Sequence, residues 1–258
     1  MVRPADLGVQ SARWPLPARA LHRTAAELRW AFTPPWTWLL GVGINLVLSL
    51  LWLAWQPVDH TAHRDWVVLV GTYFASFILA DVTTTNILGA DPVRVRANLA
   101  QAIPIREQLL AKNGALLVIV GLPTLLLTAA LTATLETPQR LAITLPDVAL
   151  PIFAWLGVGN LVSVLLPVAV VPLHRRWQHR RDRRATMRWL WHLLLPYALW
   201  YAVDPVDQAP RALLGPQLNH SLGPDVRSLL HALVGLLIWL IGTWLAGVVV
   251  RHRGLRLR

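Results

Sequence analysis

The stretch WTWLLGVGINLVLSLLWLAW at 36–55 contains no charged residue. A helix of about 20 apolar residues is long enough to cross the hydrocarbon layer of a bilayer. That layer holds no water to hydrogen-bond free backbone groups, so a chain segment inside it must be helical or part of a closed barrel. This stretch therefore predicts an integral membrane protein.

Hydropathy along the rest of the chain predicts six transmembrane helices. The predicted spans are 36–55, 66–88, 113–135, 148–171, 187–203 and 229–250. Composition agrees, because 55% of the residues are hydrophobic and only 14% are charged, whereas soluble domains carry about a quarter charged residues. We therefore expect an all-α polytopic membrane protein. It has an N-terminal segment at 1–35 and a six-helix transmembrane domain at 36–258.

The basic residues indicate the orientation. Most of them lie in four segments, namely 1–35, 89–112, 172–186 and 251–258. By the positive-inside rule, these segments and both termini are cytoplasmic. The net charge of +11 is thus better explained by membrane lipids than by nucleic acid as a partner. The arginine- and alanine-rich usage favours a bacterial inner membrane. The first 35 residues show no apolar core of a cleavable signal peptide.

The N-terminal stretch 18–33 has the pattern of an amphipathic helix. Its apolar residues recur at helical spacing, namely Leu21, Ala25, Leu28 and Phe32. Charged residues fall on the opposite side, namely Arg19, Arg23 and Glu27. The pattern predicts an interfacial helix along the inner membrane surface, ended by Pro34 and Pro35. A simple anchor with no further role fits the same pattern.

The loop between the second and third spans contains signals for two helices. Asp91 followed by Pro92 is a strong helix start, because it combines a side-chain cap with a residue that lacks an amide hydrogen. The first helix is predicted to run to about Ala102. Pro104 then breaks it, and a second helix begins there and enters the third span. A short helix across the cytoplasmic mouth can receive a push from a soluble partner, although an ordinary surface loop is the simpler alternative.

Three short motifs occur in this region, namely Asn86-Ile87-Leu88-Gly89-Ala90-Asp91, Ile103-Pro104-Ile105-Arg106 and Leu109-Leu110-Ala111-Lys112-Asn113. With the six spans and the amphipathic N-terminal helix, they resemble the type-two permease family of ATP-binding-cassette (ABC) transporters. In that family the loop is the coupling helix that docks on the ATPase. The resemblance implies this role for Asp91, Pro92, Arg94, Arg96, Ile103, Pro104, Ile105, Arg106 and Glu107. It also implies cytoplasmic ATPase subunits, which carry ATP and Mg, and a second permease chain, identical or different, as partners.

Polar residues inside the spans are candidates for a pathway or gate. Asp81 is the acid that lies well inside a span, where a charge is costly. It either pairs with a base such as Arg188 or is hydrated near the interface. Asn45 and Asn160 lie in mid-span, where hydrogen bonds across helices are the more ordinary role. Gly242 and Ala246 form a small-residue face for a helix or subunit contact.

No Walker A motif occurs in the chain, and it contains no cysteine. The histidines are too scattered to predict a metal site, so we expect no catalytic residue, metal or cofactor in this chain. The sequence thus predicts the permease subunit of an ATP-driven exporter that moves an amphiphilic or hydrophobic substrate. The alternatives are a membrane-embedded enzyme acting on lipids or polyprenyl substrates, or a non-catalytic accessory subunit of a membrane complex.

Overall fold

The structure is a computed structural model that describes residues 16–34, 36–55, 66–84, 87–167 and 223–255, with a few positions between 182 and 194. The regular elements in these ranges are helices. Eight of them are α-helical, namely α1 Leu16–Ala31, α2 Thr37–Trp55, α3 Trp66–Thr84, α4 Pro92–Ala100, α5 Ile105–Leu116, α6 Leu122–Leu135, α7 Leu141–Leu165 and α8 Pro224–Arg253. The predicted all-α fold is therefore confirmed for the part of the chain that the structure describes.

Three helical stretches are long and apolar enough to cross a membrane, namely Ile105–Leu135, Pro138–Leu165 and Pro224–Arg253. They coincide with the third, fourth and sixth predicted spans. The apolar helices α2 and α3 match the first two. The fifth predicted span, 187–203, lies almost wholly outside the described residues. The count of six spans and the cytoplasmic location of the termini stay predictions.

The helix of the fourth predicted span has other ends than the predicted span 148–171, whose limits in the membrane stay predictions. It begins at Leu141 and so includes Asp147. The Asp147 carboxylate lies 2.9 Å from Nδ1 of His231 on α8, so this acid has a partner on another helix. The same helix ends at Leu165, because Pro167 disfavours helical geometry in the residue before it.

Helix α8 packs along most of α7, and the two run in the same direction. Gly157 and Gly242 bring their backbones into contact, since a Cβ on Gly157 would lie 2.5 Å from the carbonyl oxygen of Ile238. Ala246 is also buried. The small-residue face predicted on the sixth span therefore makes a helix contact within the chain.

The helix of the third span contains one irregular turn. Residues Leu117–Gly121 form a π-helical turn between α5 and α6. The amide of Leu122 donates to the carbonyl of Leu117, five residues earlier. Pro123 follows directly and has no N–H to donate, and a π turn is one way in which a helix accommodates such a break.

Three buried threonines follow this turn on α6, namely Thr124, Thr128 and Thr132. The hydroxyl of each donates to the backbone carbonyl four residues earlier. Thr132 and Thr144 of α7 also share a hydrogen bond of 2.9 Å between their hydroxyls. The hydroxyls of this line on α6 are thus satisfied inside the bundle, which makes α6 a good packing surface.

We predict opposite effects of one substitution at two glycines. Gly242→Ala should destabilise the protein by about 1–3 kcal/mol, because the new methyl group meets the backbone of Gly157. Gly43→Ala should be neutral or stabilising by up to about 1 kcal/mol, because its Cβ meets open space and alanine favours a helix. Thermal unfolding in detergent micelles measures both. Equal melting temperatures for the two variants would contradict the α7–α8 packing described.

Candidate functional site

Helix α4 begins as its sequence predicts. The Asp91 side chain accepts a hydrogen bond of 3.3 Å from the backbone amide of Arg94, and Pro92 occupies the first helical turn. Because cap and proline act locally, the start of this helix is determined by adjacent residues. The predicted cap is confirmed.

The turn between α4 and α5 is held by side chains. Ala102 has a φ of 56°, in the left-handed region, which lets the chain reverse before Pro104. The Gln108 side-chain amide donates to the carbonyl of Ile103 at 3.1 Å, and its oxygen accepts from Asn98 of α4 at 3.4 Å. The turn thus fixes α4 at an angle to the helix that enters the membrane.

A buried charge cluster joins α1, α4 and α5. One oxygen of Glu27 on α1 lies 2.9 Å from Nζ of Lys112 on α5. The other oxygen accepts from Nη2 of Arg94 on α4, also at 2.9 Å. Arg94 in turn lies 3.2 Å from the carboxylate of Asp91. One carboxylate of α1 therefore connects this helix to two consecutive helices, α4 and α5, that are far from it in sequence.

Two tryptophans enclose the lysine of this cluster. Lys112 Nζ lies 5.0 Å from the ring centroid of Trp30 and 5.5 Å from that of Trp38. The two rings meet edge to face, with centroids 5.3 Å apart. A cation over an aromatic face is attracted by the ring quadrupole, and the attraction is stronger where water is excluded. We call Glu27, Arg94, Lys112, Trp30 and Trp38 the junction cluster.

The electrostatics of the junction cluster follow from burial. Lys112 is the only lysine of the chain, and 1% of its side chain is exposed. A buried charge without a partner costs several kcal/mol, so the ammonium requires the Glu27 carboxylate beside it. A second ion pair of 3.3 Å, between Arg23 and Glu107, also joins α1 to α5.

The polar side of the amphipathic helix α1 thus contacts other helices of the protein. The helix is confirmed, but its charged residues Arg23 and Glu27 form ion pairs with α4 and α5 and do not simply face water. Leu21 and Phe32 of the apolar side are largely exposed. The predicted position of α1 along the inner membrane surface is compatible with this arrangement and stays a prediction.

The nine residues predicted for the coupling loop differ in how exposed their side chains are. Arg96 and Pro104 lie on the surface, and Ile103, Pro92 and Arg94 are half-buried. Ile105 is 6% exposed and belongs to one buried cluster with Leu109, Val164 and Ala246. The remaining three residues have partners within the chain. Arg106 donates to the carbonyl of Trp244 on α8 at 3.3 Å. Glu107 forms an ion pair with Arg23 of α1, and Asp91 forms one with Arg94.

The outward face of α4 includes, beside the selected Arg96, three residues that the sequence analysis did not select. Val93 is 73% exposed, and Ala97 and Ala100 are exposed as well. Their spacing places them on one side of the helix. We call these three residues the α4 stripe. The spacing is visible in the sequence, but Val95 and Leu99 form a second apolar side, and spacing alone does not tell which side is buried.

The pathway candidates meet different outcomes. The amide of Asn160 donates to the hydroxyl of Thr243 on α8 at 2.8 Å, which confirms a hydrogen bond across helices. Asn45 instead donates to the carbonyl of Gly41 within its own helix, so the cross-helix bond expected there is wrong. The side chain of Asp81 and its suggested partner Arg188 lie outside the described residues. A pathway role for any of the three stays a prediction.

Fold and junction cluster together define an all-helical membrane protein with a charge-linked helix junction at one end of the bundle. Among the residues that the structure describes, no group of three or more histidine, cysteine, aspartate or glutamate side chains is placed to hold a metal ion. Comparison with protein-family models, curated proteins and solved structures finds no match for this chain.

We predict that Lys112→Met destabilises the protein by about 3–5 kcal/mol, because Glu27 keeps its charge in a buried place and loses a partner. Adding Glu27→Leu should restore most of that loss, since Arg94 is partly exposed and can turn to water. Thermal unfolding in detergent measures the single and double variants. The matched control is Arg29→Met, an exposed base on α1, which should change the melting temperature little. If Lys112→Met changed the melting temperature as little as the control does, the Glu27–Lys112 ion pair would contribute nothing to stability.

Proposed function

We propose that this chain is the permease subunit of an ABC exporter, driven by a separate cytoplasmic ATPase and moving an amphiphilic or hydrophobic substrate. The motifs at 86–113 support the proposal, as does the absence of a Walker A sequence from the chain. The observation that carries it is the arrangement of α4, whose inner side joins the junction cluster while the α4 stripe is exposed.

The α4 stripe has the chemistry of a docking surface. Val93, Ala97 and Ala100 present small apolar groups on the exposed side of α4, beside the exposed Arg96. An amphipathic helix of this kind fits an apolar groove in a soluble partner. A small apolar contact gives modest affinity, which suits a partner that changes shape in every cycle.

The junction cluster supplies a route from α4 to the membrane. A displacement of α4 moves Arg94, and with it Glu27 and Lys112, because the three side chains are ion-paired in a water-poor site. Lys112 belongs to the continuous helical stretch Ile105–Leu135. A push on α4 therefore acts at the base of a helix long enough to cross the bilayer.

A second connection leads to α8. Arg106, in the first turn of α5, donates to the carbonyl of Trp244 and packs against Gly247. The same displacement of α5 is thus felt by α8, which packs along α7. Movement of such packed elements between two arrangements is the usual form of a transport transition.

We predict that Val93→Glu lowers co-purification of the ATPase roughly tenfold or more, equivalent to about 1.4 kcal/mol. The reason is that a carboxylate in the α4 stripe must be buried on docking. The measurement compares the amount of ATPase subunit bound to the tagged, purified chain. Val226→Glu is the control, because this exposed valine lies at the far end of α8. A wild-type chain that brings down no ATPase, or equal recovery with both variants, would overturn the proposal.

Ile105→Glu is a weaker test of ATPase docking than Val93→Glu. Its side chain is buried against α7 and α8, so a carboxylate there should reduce stability before it affects docking. The two variants should therefore differ in kind: Val93→Glu keeps the melting temperature and loses the ATPase, whereas Ile105→Glu lowers the melting temperature.

A further inference from the structure

Asn113 on α5 is a buried amide with unused hydrogen-bonding capacity. Its side chain is 0% exposed, and neither its nitrogen nor its oxygen has a hydrogen-bond partner in the part of the chain that the structure describes. The oxygen of Asn160 is also buried without a partner there, although its nitrogen donates to Thr243. Leaving a buried polar group unpaired costs about 1–3 kcal/mol. Such groups require an explanation, and a function is a common one.

The register of the helices places these amides at a similar depth in the bundle. Ile105, Leu109 and Asn113 are four residues apart and share one side of α5. The first two lie in one buried cluster with Val164 of α7 and Ala246 of α8. Asn113 therefore continues the side of α5 that packs against α8.

Contacts farther along the helix of the third span show how deep in the bundle Asn113 lies. A Cβ at Gly121, two turns beyond Asn113, would lie 3.3 Å from Cγ2 of Ile152. On α7, which runs in the opposite direction, Ile152 comes two turns before Asn160. By this register, Asn113 lies at about the depth of Asn160 and of Thr243, to which Asn160 donates.

An irregular turn adjoins this polar spot. The π turn at Leu117–Gly121 begins one helical turn beyond Asn113, and Pro123 follows it. π turns inside α-helices occur frequently at functional sites, and a proline break lets a helix bend. We infer that bending at this point gives a ligand access to the two amides.

The free hydrogen-bonding capacity is rich in acceptors. Asn113 offers two N–H donors and two oxygen lone pairs, and the Asn160 oxygen adds further acceptor capacity. A ligand must therefore bring several donors, as neighbouring hydroxyl groups do. Esters and phosphodiesters bring acceptors alone. A charged head group gains no counter-charge from Lys112, the adjacent residue, because that side chain is paired with Glu27.

We propose that Asn113 and Asn160 form a recognition site for the uncharged, hydroxyl-bearing head group of an amphiphile. This inference deepens the proposed function, since it names the class of substrate for the transport path. Binding can be measured on the full chain without an ATPase, so the failure of one proposal is distinguishable from the failure of the other.

The probes are two lipids that share one acyl chain, monooleoylglycerol and methyl oleate. The first carries two hydroxyl groups, and the second carries only ester acceptors. Each is added to the purified chain in phosphatidylcholine nanodiscs, and the melting temperature is recorded. Monooleoylglycerol should raise it by an amount on the order of 3 °C, and methyl oleate should leave it unchanged, because a ligand that binds the folded state stabilises it.

Three variants decide the assignment. Asn113→Leu should abolish the shift and should itself melt higher than the wild type, because it removes an unpaired buried amide. Asn113→Ser should keep part of the shift through its hydroxyl. Thr128→Val is the control, since this buried hydroxyl bonds within its own helix. A shift that survives in Asn113→Leu, or one that both lipids produce equally in the wild type, would overturn the site.

Discussion

The ion pair between Glu27 and Lys112 is the interaction on which one end of the bundle depends. Both side chains are almost fully buried, and their atoms lie 2.9 Å apart. Separating α1 from α5 would leave a carboxylate and an ammonium in an apolar place, which costs more than the loss of ordinary contacts. Arg94 brings α4 into the same cluster. The three helices are therefore expected to move as one body.

The rest of the bundle contains a second body. α7 and α8 touch through Gly157 and Gly242, and such backbone contact leaves little freedom to slide. The α1–α4–α5 body meets this pair through Ile105 and Arg106. The π turn next to this boundary is where the helix of the third span bends most readily. Rigid parts and a bend at their border are the elements of a two-state membrane domain.

Local signals in the sequence predicted most of the helices, whereas contacts between residues far apart in sequence could not be predicted from it. Asp91 and Pro92 specify the start of α4 because a cap acts within one turn. Helical spacing placed Glu27 on the polar side of α1, but it does not distinguish water from a lysine 85 residues later. The predicted fourth span began at 148 and so left out Asp147, whose partner His231 lies in another helix.

The α4 stripe could not be predicted for the same reason, because its exposure depends on a contact with a distant residue. Both sides of α4 carry apolar residues, with Val95 and Leu99 on one and the α4 stripe on the other. Periodicity predicts an apolar side and a polar side, so two apolar sides leave the direction undetermined. The junction cluster decides it, because Arg94 must reach Glu27. An ion pair thus selects which apolar surface is buried, and the smaller one stays exposed.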